Sequence, residues 1–314
     1  MRRKIIKQGH NTLTVSLPKK WCEGHSLKDG EEIEVSEKSN CLVLSKESFK
    51  SKGDITVDIS GLDRGIILLI ESLYLFGYNL ITIKTKTPKV KVVIHNIERS
   101  ILPFLQDSVL NRIVGAEIIS STPGIYKIQV ITDESREKFD MVSRRIFRII
   151  IEMFETFIRG IRDKNRDIIE SVGVQFNNAK RFSNYALRIL NKFGHEEADK
   201  TTFYYTAISF LVKIANIIKN VAIYTIREGK LNQSKELCML IQDIKESFDI
   251  YYNSFYSYDN SKFGKLHERR DIFKRDMYIK FKKLSKDDLF ILTSIYPIYD
   301  ILLDLSELRM AIEY

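Results

Sequence analysis

The sequence predicts a multidomain α+β protein with a small β domain, a small α+β middle domain and an all-helical C-terminal region. Short runs of alternating β-prone residues occur before about residue 133, and apolar residues recur with helical spacing after it. The chain has only five prolines in 314 residues, which favours long helices because proline breaks them. The expected domains are residues 1–50, 53–133 and 134–314, the last with two halves, 134–228 and 231–314.

In the first domain, turn signals separate short β-prone segments. These segments are too few to bury a core, so a domain of this size needs a partner chain or an attached domain. The predicted strands are 4–7, 12–17, 32–36 and 41–44, and a short helix over 19–25 follows Pro18.

The middle domain reads as strand, helix, strand, strand, helix, strand, strand. This order suggests a small sandwich with its helices on one face of a sheet. Its predicted strands are 54–59, 80–84, 90–94, 117–120 and 126–131, and its predicted helices are 63–77 and 96–114.

The C-terminal region carries apolar residues at three- and four-residue spacing, beginning with Phe139, Val142 and Ile146. This pattern predicts about six helices, arranged in one bundle or in two three-helix bundles. The expected breaks lie near Gly173, Gly194, Gly229, residues 259–264 and Ser285.

The composition indicates a globular protein with an anionic partner or a well-solvated basic surface. Hydrophobic residues make up 44% of the chain, charged residues make up 29%, and the net charge is +9. These fractions exclude a disordered chain, and the charge is compatible with nucleic acid, phosphate or a membrane surface. Charge alone leaves those alternatives open.

The cysteines and the apolar runs point to the cytoplasm. Cys22, Cys41 and Cys238 show no paired spacing, and no apolar run follows the basic N-terminus. The apolar run over residues 66–76 is too short to span a bilayer and contains Glu71. We therefore expect a cytoplasmic protein without membrane insertion.

The N-terminus is basic, and no acidic residue occurs before Glu23. Contacts of Lys and Arg with phosphates supply most non-specific DNA affinity, so a one-sided basic face suits a DNA-binding module. The alternative is a charged tail that keeps the protein soluble. The candidate DNA-contacting residues are Arg2, Arg3, Lys4, Lys7, Lys19 and Lys20.

The order of residues over 2–46 resembles the AbrB/SpoVT family of swapped-hairpin DNA-binding domains. The matching features are a basic first strand, a loop with Gly9, the stretch SLPKKW, and LKDG before an acidic strand. The resemblance implies a homodimer that interleaves its hairpins and contacts double-stranded DNA through Arg2, Arg3, Lys4 and Lys7. Lys19 and Lys20 are weaker candidates, and Trp21 is expected in the core rather than stacked on a base.

Beyond about residue 55 the chain resembles the archaeal branch of the PhoU family. The matching stretches are LYLFGYNLITI at 73–83, VGAEII at 114–119, and Arg144, Arg145 and Met153. The resemblance implies PhoU-like three-helix bundles and a role in the control of phosphate uptake. It also implies a partner such as the ATPase of a phosphate transporter or another phosphate-signalling protein.

Proteins of that family hold metal ions with clusters of carboxylates, and this chain departs from the pattern. One expected acidic pair falls on residues 177–181, which read NNAKR, and the other on Val212 and Asn216. We therefore expect the first bundle to have lost its metal. In the last helix Asp300, Asp304 and Glu307 share one face. They are a candidate site for a divalent cation or an iron- or zinc-type metal, or else a solvated acidic face.

No catalytic constellation is evident, because the chain has no phosphate loop and its five histidines are scattered. The sequence therefore predicts a DNA-binding transcriptional regulator of phosphate uptake that is not an enzyme, with helical bundles that sense a signal or dock a partner. The alternative is an interaction adaptor that controls a phosphate transporter without binding DNA. In that case the N-terminal domain would only dimerise.

Overall fold

In the computed structural model, the chain divides into two compact units, residues 1–50 and 51–314, called here the N-terminal unit and the main unit. Small β-sheets and an α/β region come first, and an all-helical region of about six long helices follows. This confirms the mixed α+β class. The structure describes residues 1–9, 11–38, 41–46, 52–62, 65–92, 97–229, 231, 233–280 and 284–314.

The N-terminal unit contains two antiparallel hairpins and one short helix. Strand β1 (Ile6–Gln8) pairs with β2 (Thr12–Thr14), and helix α1 (Lys19–Gly24) follows. Strand β3 (Glu34–Lys38) then pairs with β4 (Cys41–Ser45). The short helix lies where the sequence predicts it, and each strand overlaps a predicted one.

The main unit begins with a four-stranded mixed sheet, whose neighbouring strands are β5 (Lys52–Asp58), β6 (Tyr78–Lys84), β10 (Ile125–Val130) and β9 (Ala116–Thr122) in that order. Helix α2 (Ile66–Phe76) connects the parallel strands β5 and β6, and the other pairs are antiparallel. Gly77 ends α2 with φ +106°, in the left-handed region where glycine is favoured.

The predicted helix over 96–114 is wrong in its first part, where Ile97–Ser100 (β8) pairs with Lys89–Val92 (β7) instead. Pro103 explains why the helix starts later, at α3 (Ile101–Phe104). A helix begun at residue 96 would place Pro103 in its interior, where the ring clashes and the N–H is missing. One turn of π-helix (Leu105–Val109) and a 3-10 turn (Leu110–Arg112) complete the segment.

Long helices form the rest of the main unit, and the breaks at Gly194, Gly229 and Ser285 are confirmed. The break predicted at Gly173 is wrong, because this glycine lies inside α5 and the chain turns earlier, at 163–165. There Asn165 caps α5 by accepting a hydrogen bond from the Ile168 N–H at 3.1 Å. The helices are α4 (Lys138–Arg162), α5 (Arg166–Phe193), α6 (Thr201–Arg227), α7 (Lys235–Tyr256), α8 (Asn260–Lys280), α9 (Lys286–Ile295) and α10 (Pro297–Glu313).

The main unit has two hydrophobic cores, one within the α/β region and one among the helices. Helices α4, α5 and α6 contact one another, as do α7, α8 and α10. The two sets are joined by contacts of α4 with α7 and of α6 with α10. The side chain of Leu75 at the end of α2 packs against both cores.

Two helical segments, Ala198–Arg227 and Lys286–Glu313, are long and apolar enough to cross a membrane by length and composition alone. The core helices of soluble proteins pass the same test. Both segments contribute fully buried side chains to the helical core, among them Leu211, Ile214 and Leu302. The sequence-based focus on residues 66–76 overlooked these longer runs.

Candidate nucleic-acid interface

The predicted DNA-contacting residues lie at the start of the N-terminal unit. Arg2, Arg3 and Lys4 precede β1, Lys7 lies on β1 opposite Leu13, and all four are exposed. The hairpin turns through Gly9 at φ +72°, and the Thr14 hydroxyl donates to the Ile6 carbonyl oxygen at 3.2 Å. The hairpin therefore presents four cations within six residues of chain.

Lys19 and Lys20 lie in the first turn of α1, directly after Pro18, which has extended backbone. Both are exposed, and the Nζ of Lys19 lies 3.7 Å from a carboxylate oxygen of Glu23. Within the described residues, Lys20 and the four cations of the hairpin segment form no ion pair. Five of the six predicted residues are thus free to meet an anionic partner.

The acidic residues of the unit lie in its second half and are held apart from the basic segment along the chain. Glu34 and Glu37 lie on β3, and Glu31 lies 3.9 Å from the Nζ of Lys46. Lys46 also donates to the His25 carbonyl oxygen at 2.9 Å, which ties the end of α1 to the end of β4. Within the described part of the unit, the acids shown in ion pairs, Glu23 and Glu31, meet Lys19 and Lys46 rather than the four cations at residues 2–7.

The N-terminal unit has no core of its own among its described side chains. None of them is buried, and Ile6, Leu13 and Leu42 are 59%, 69% and 69% exposed. The two hairpins form separate two-stranded sheets, and an isolated hairpin is only marginally stable in water. Trp21, predicted in the core, is half-buried, with its ring 4.9 Å from that of His25.

The three predicted metal ligands Asp300, Asp304 and Glu307 lie on the exposed face of α10. Between them Leu302, Leu305 and Ser306 are buried, so the acids point away from the core. In the part of the chain that the structure describes, no three His, Cys, Asp or Glu side chains are placed to hold a metal ion together. The arrangement is that of a solvated acidic face.

Cations lie at or close to the positions where the resemblance implies lost carboxylates. Lys180 pairs with buried Glu71 at 3.4 Å, and Arg112 pairs with the same carboxylate at 3.3 Å. Lys219 donates to Asn216 at 2.8 Å, and burial, aided by nearby Arg112, lowers the pKa of Lys219. The two cations paired with the Glu71 carboxylate would repel a metal ion.

One buried network was missed at the level of the sequence. Arg188 on α5 is fully buried and pairs with Glu134. Its guanidinium also donates to the Tyr74 carbonyl oxygen at 2.5 Å and to Asn79 Oδ1 at 2.7 Å. Lys192 adds a second ion pair to Glu134 at 2.6 Å. The available signal was a single arginine inside the apolar run at 185–190.

Comparison with known proteins assigns nothing further to this geometry. No family model matches the chain, and no curated protein or solved structure matches it either.

Proposed function

We propose that the chain is a dimeric, double-stranded-DNA-binding transcriptional regulator. The observation that carries this proposal is the N-terminal unit, which exposes all six predicted DNA-contacting cations and buries no described side chain. Both properties are accounted for when two copies join their apolar surfaces and present their basic segments to DNA.

The electrostatics favour an extended polyanion. Arg2, Arg3, Lys4 and Lys7 lie on one short segment without acidic neighbours, which suits a line of phosphates rather than one isolated anion. Arginine also forms two-pronged hydrogen bonds with phosphate oxygens. A dimer would double the number of such contacts and so raise both the affinity and its dependence on salt.

The dimer proposal rests on the two hairpins. Each has two strands and leaves both of its edges without a partner strand in the described part of the unit. Exposed apolar side chains on both hairpins, such as Leu13 and Leu42, would be buried if the hairpins of two copies interleaved. This is the swapped-hairpin arrangement that the AbrB/SpoVT resemblance implies.

The phosphate role rests on the resemblance of the main unit to the PhoU family. We propose that the helices act as a sensor or as the docking region for the ATPase of a phosphate transporter or another phosphate-signalling protein. Removing the gene should then change transcript levels of phosphate-transport genes in cells starved of phosphate. Unchanged transcript levels would contradict the phosphate role but would leave the DNA-binding proposal standing.

DNA binding is tested by fluorescence anisotropy with duplex DNA over a salt series. The Arg2/Arg3/Lys4/Lys7→Ala variant should bind far more weakly, and each lost phosphate contact should reduce the slope of log K against log salt by about one unit. The matched control is Arg145/Arg148/Arg159/Arg181→Ala, which removes the same charge from exposed positions of α4 and α5. Equal loss in both variants would show that net charge, not this segment, governs binding.

The second candidate is an interaction adaptor without a DNA target. The absence of a core among the described side chains of the N-terminal unit favours it as well, since dimerisation alone would bury the apolar surface. An adaptor does not need four unpaired cations on one segment, which is why DNA binding ranks first. A dimer that shows no DNA affinity at low salt would establish the adaptor and make a partner pull-down the next step.

A further inference from the structure

A cavity of about 770 Å³ opens between the C-terminal end of α4 and the N-terminal half of α7. Volumes of about 300–1,000 Å³ are typical of small-molecule sites. Its walls combine a cationic rim, an apolar floor and two acids, and these three parts set the chemistry of an occupant.

The cationic rim has three members from three different segments. Arg162 is the last residue of α4, Lys164 lies in the following turn, and Lys235 is the first residue of α7. Within the described residues none of the three side chains forms an ion pair or a hydrogen bond. Their charges are therefore available to a ligand.

The two acids that line the cavity share one cationic partner, Arg269. The guanidinium of Arg269 lies 2.5 Å from Asp243 and 3.0 Å from Glu246. The hydroxyl of Tyr299 also donates to Asp243. Because these carboxylates are already paired, the rim gives the cavity a net positive field.

The apolar floor consists of Ile161, Cys238 and Met239, of which Met239 is 66% exposed. Ile161 is buried and Cys238 is half-buried, and burial raises the pKa of the Cys238 thiol, which opposes the effect of nearby Arg162. The thiol is thus protonated and acts as a small apolar group. Its reaction rate with a disulfide reagent also reports on access to the cavity, because the reagent must reach the sulfur and only the small thiolate fraction reacts quickly.

We propose that this cavity binds a small organic phosphate, with its dianionic head on Arg162, Lys164 and Lys235 and its apolar body on the floor. Three cations around one head favour a dianion over a carboxylate, and a phosphate monoester is largely dianionic near pH 7. The proposal does not depend on DNA binding by the N-terminal unit.

The experiment uses Cys238 as the reporter in a full-length Cys22→Ser/Cys41→Ser background, which leaves one thiol in the chain. The rate of its reaction with an aromatic disulfide is measured with four probes: 1-naphthyl phosphate, 1-naphthoate, 1-naphthol and inorganic phosphate. Saturating naphthyl phosphate should slow the reaction at least about fivefold, with a Kd on the order of 1 mM or lower. Naphthoate should bind more weakly, and the remaining two should have little effect.

The cations are tested with Arg162→Ala/Lys235→Ala, which should raise the Kd for naphthyl phosphate about tenfold or more. The matched control is Arg159→Ala/Arg166→Ala, which removes two exposed cations at the end of α4 and the start of α5, outside the cavity lining. Thermal melting checks folding, and Lys164→Ala in the exposed turn serves if the double variant is unstable.

Several results would overturn the proposal. No protection by naphthyl phosphate would exclude an organic phosphate at this cavity. Equal protection by naphthol would show that the cavity binds apolar molecules and that the cationic rim plays no part. Equal protection by inorganic phosphate would show that the apolar floor contributes nothing to binding. Equal protection by naphthoate would reject the dianion, and an unchanged Kd in the cation variant would place the probe elsewhere.

Discussion

At the scale of single residues, Arg188 joins the α/β region to the helices of the main unit. Its guanidinium reaches Glu134, the end of α2 and the start of β6, and it lies over the Tyr74 ring with its Cζ 4.6 Å from the ring centroid. A buried charge is tolerated when its hydrogen bonds are satisfied, and its loss leaves its partner uncompensated.

We predict that Arg188→Met strongly destabilises the main unit. The substitution keeps a long apolar stem but leaves Glu134 with only Lys192, so the free energy of unfolding should fall by about 3–5 kcal/mol. Urea unfolding followed by circular dichroism measures it. The control Arg166→Ala breaks the exposed pair with Glu170 and should cost less than about 1 kcal/mol. Similar losses of unfolding free energy in both variants would show that burial of the Arg188–Glu134 pair does not affect its contribution to stability.

His195 should make stability depend on pH. Burial lowers the pKa of His195 below 6.5, its ring stacks on Tyr204 at 4.1 Å, and the Glu197 N–H donates to its Nδ1 at 3.1 Å. The unfolded chain therefore takes up a proton first as the pH falls. The stabilisation is complete above pH 6.5 and is lost below it.

The variant His195→Phe keeps an aromatic ring beside Tyr204 but cannot titrate. From about pH 7 to about pH 5 the melting temperature of the wild type should fall more than that of the variant. Parallel curves for the two proteins would contradict a neutral, half-buried His195.

The sequence indicates some single-residue features but not the networks around them. Arg188 is visible as a lone cation in an apolar run, but its partners Glu134 and Tyr74 lie 54 and 114 residues away. Nothing in local spacing reveals such pairs. The six candidate N-terminal cations could be predicted because all of them fall within the first 20 residues, with no acidic residue among them.

At the scale of elements, helical periodicity predicts the long helices well and their ends less well. Gly173 was expected to end a helix because glycine weakens helices, but an interior glycine costs only about 1 kcal/mol relative to alanine. The buried face of α5, with Ile169, Val172 and Phe176 around that glycine, outweighs this cost. Side-chain capping by Asn165 was the better signal for the break.

Gly115 is an element boundary that should not tolerate a side chain. It precedes β9 with φ +66°, and a Cβ added there would lie 1.5 Å from Thr132 Oγ1. Gly229, after α6, has a similar φ of +63° with nothing within 4 Å of an added Cβ. Comparing the same substitution at these two glycines therefore separates the cost of backbone strain from the cost of steric overlap.

We predict that Gly229→Ala costs about 1 kcal/mol, the strain of a left-handed L-residue. Gly115→Ala should cost about 3 kcal/mol or more, because overpacking adds to the same strain. Thermal or urea unfolding of both variants gives the comparison. Equal losses would show that Thr132 moves aside at negligible cost.

At the scale of the whole molecule, the two units differ in how they bury apolar surface. The main unit has two cores with many fully buried side chains, whereas no described side chain of the N-terminal unit is buried. Hydrophobic burial is the main stabilising contribution to folding. An ordered N-terminal unit therefore needs apolar contacts beyond those within residues 1–50, and a second copy supplies them in the proposed dimer.

We predict a dimer of about twice the 36.7 kDa chain mass in size-exclusion chromatography with light scattering at micromolar concentration. Leu13→Glu/Leu42→Glu places charges on both hairpins, in surface that the dimer would bury, and should give a monomer. The control Val174→Glu changes a residue of α5 that is 65% exposed and should leave the dimer intact. If the hairpin variant stays dimeric, or if the Val174→Glu control becomes monomeric, the dimer interface lies on the helices and not on the hairpins. If the hairpin variant loses DNA affinity together with dimerisation, then DNA binding by the basic segment depends on the dimer that buries the apolar surface of the hairpins.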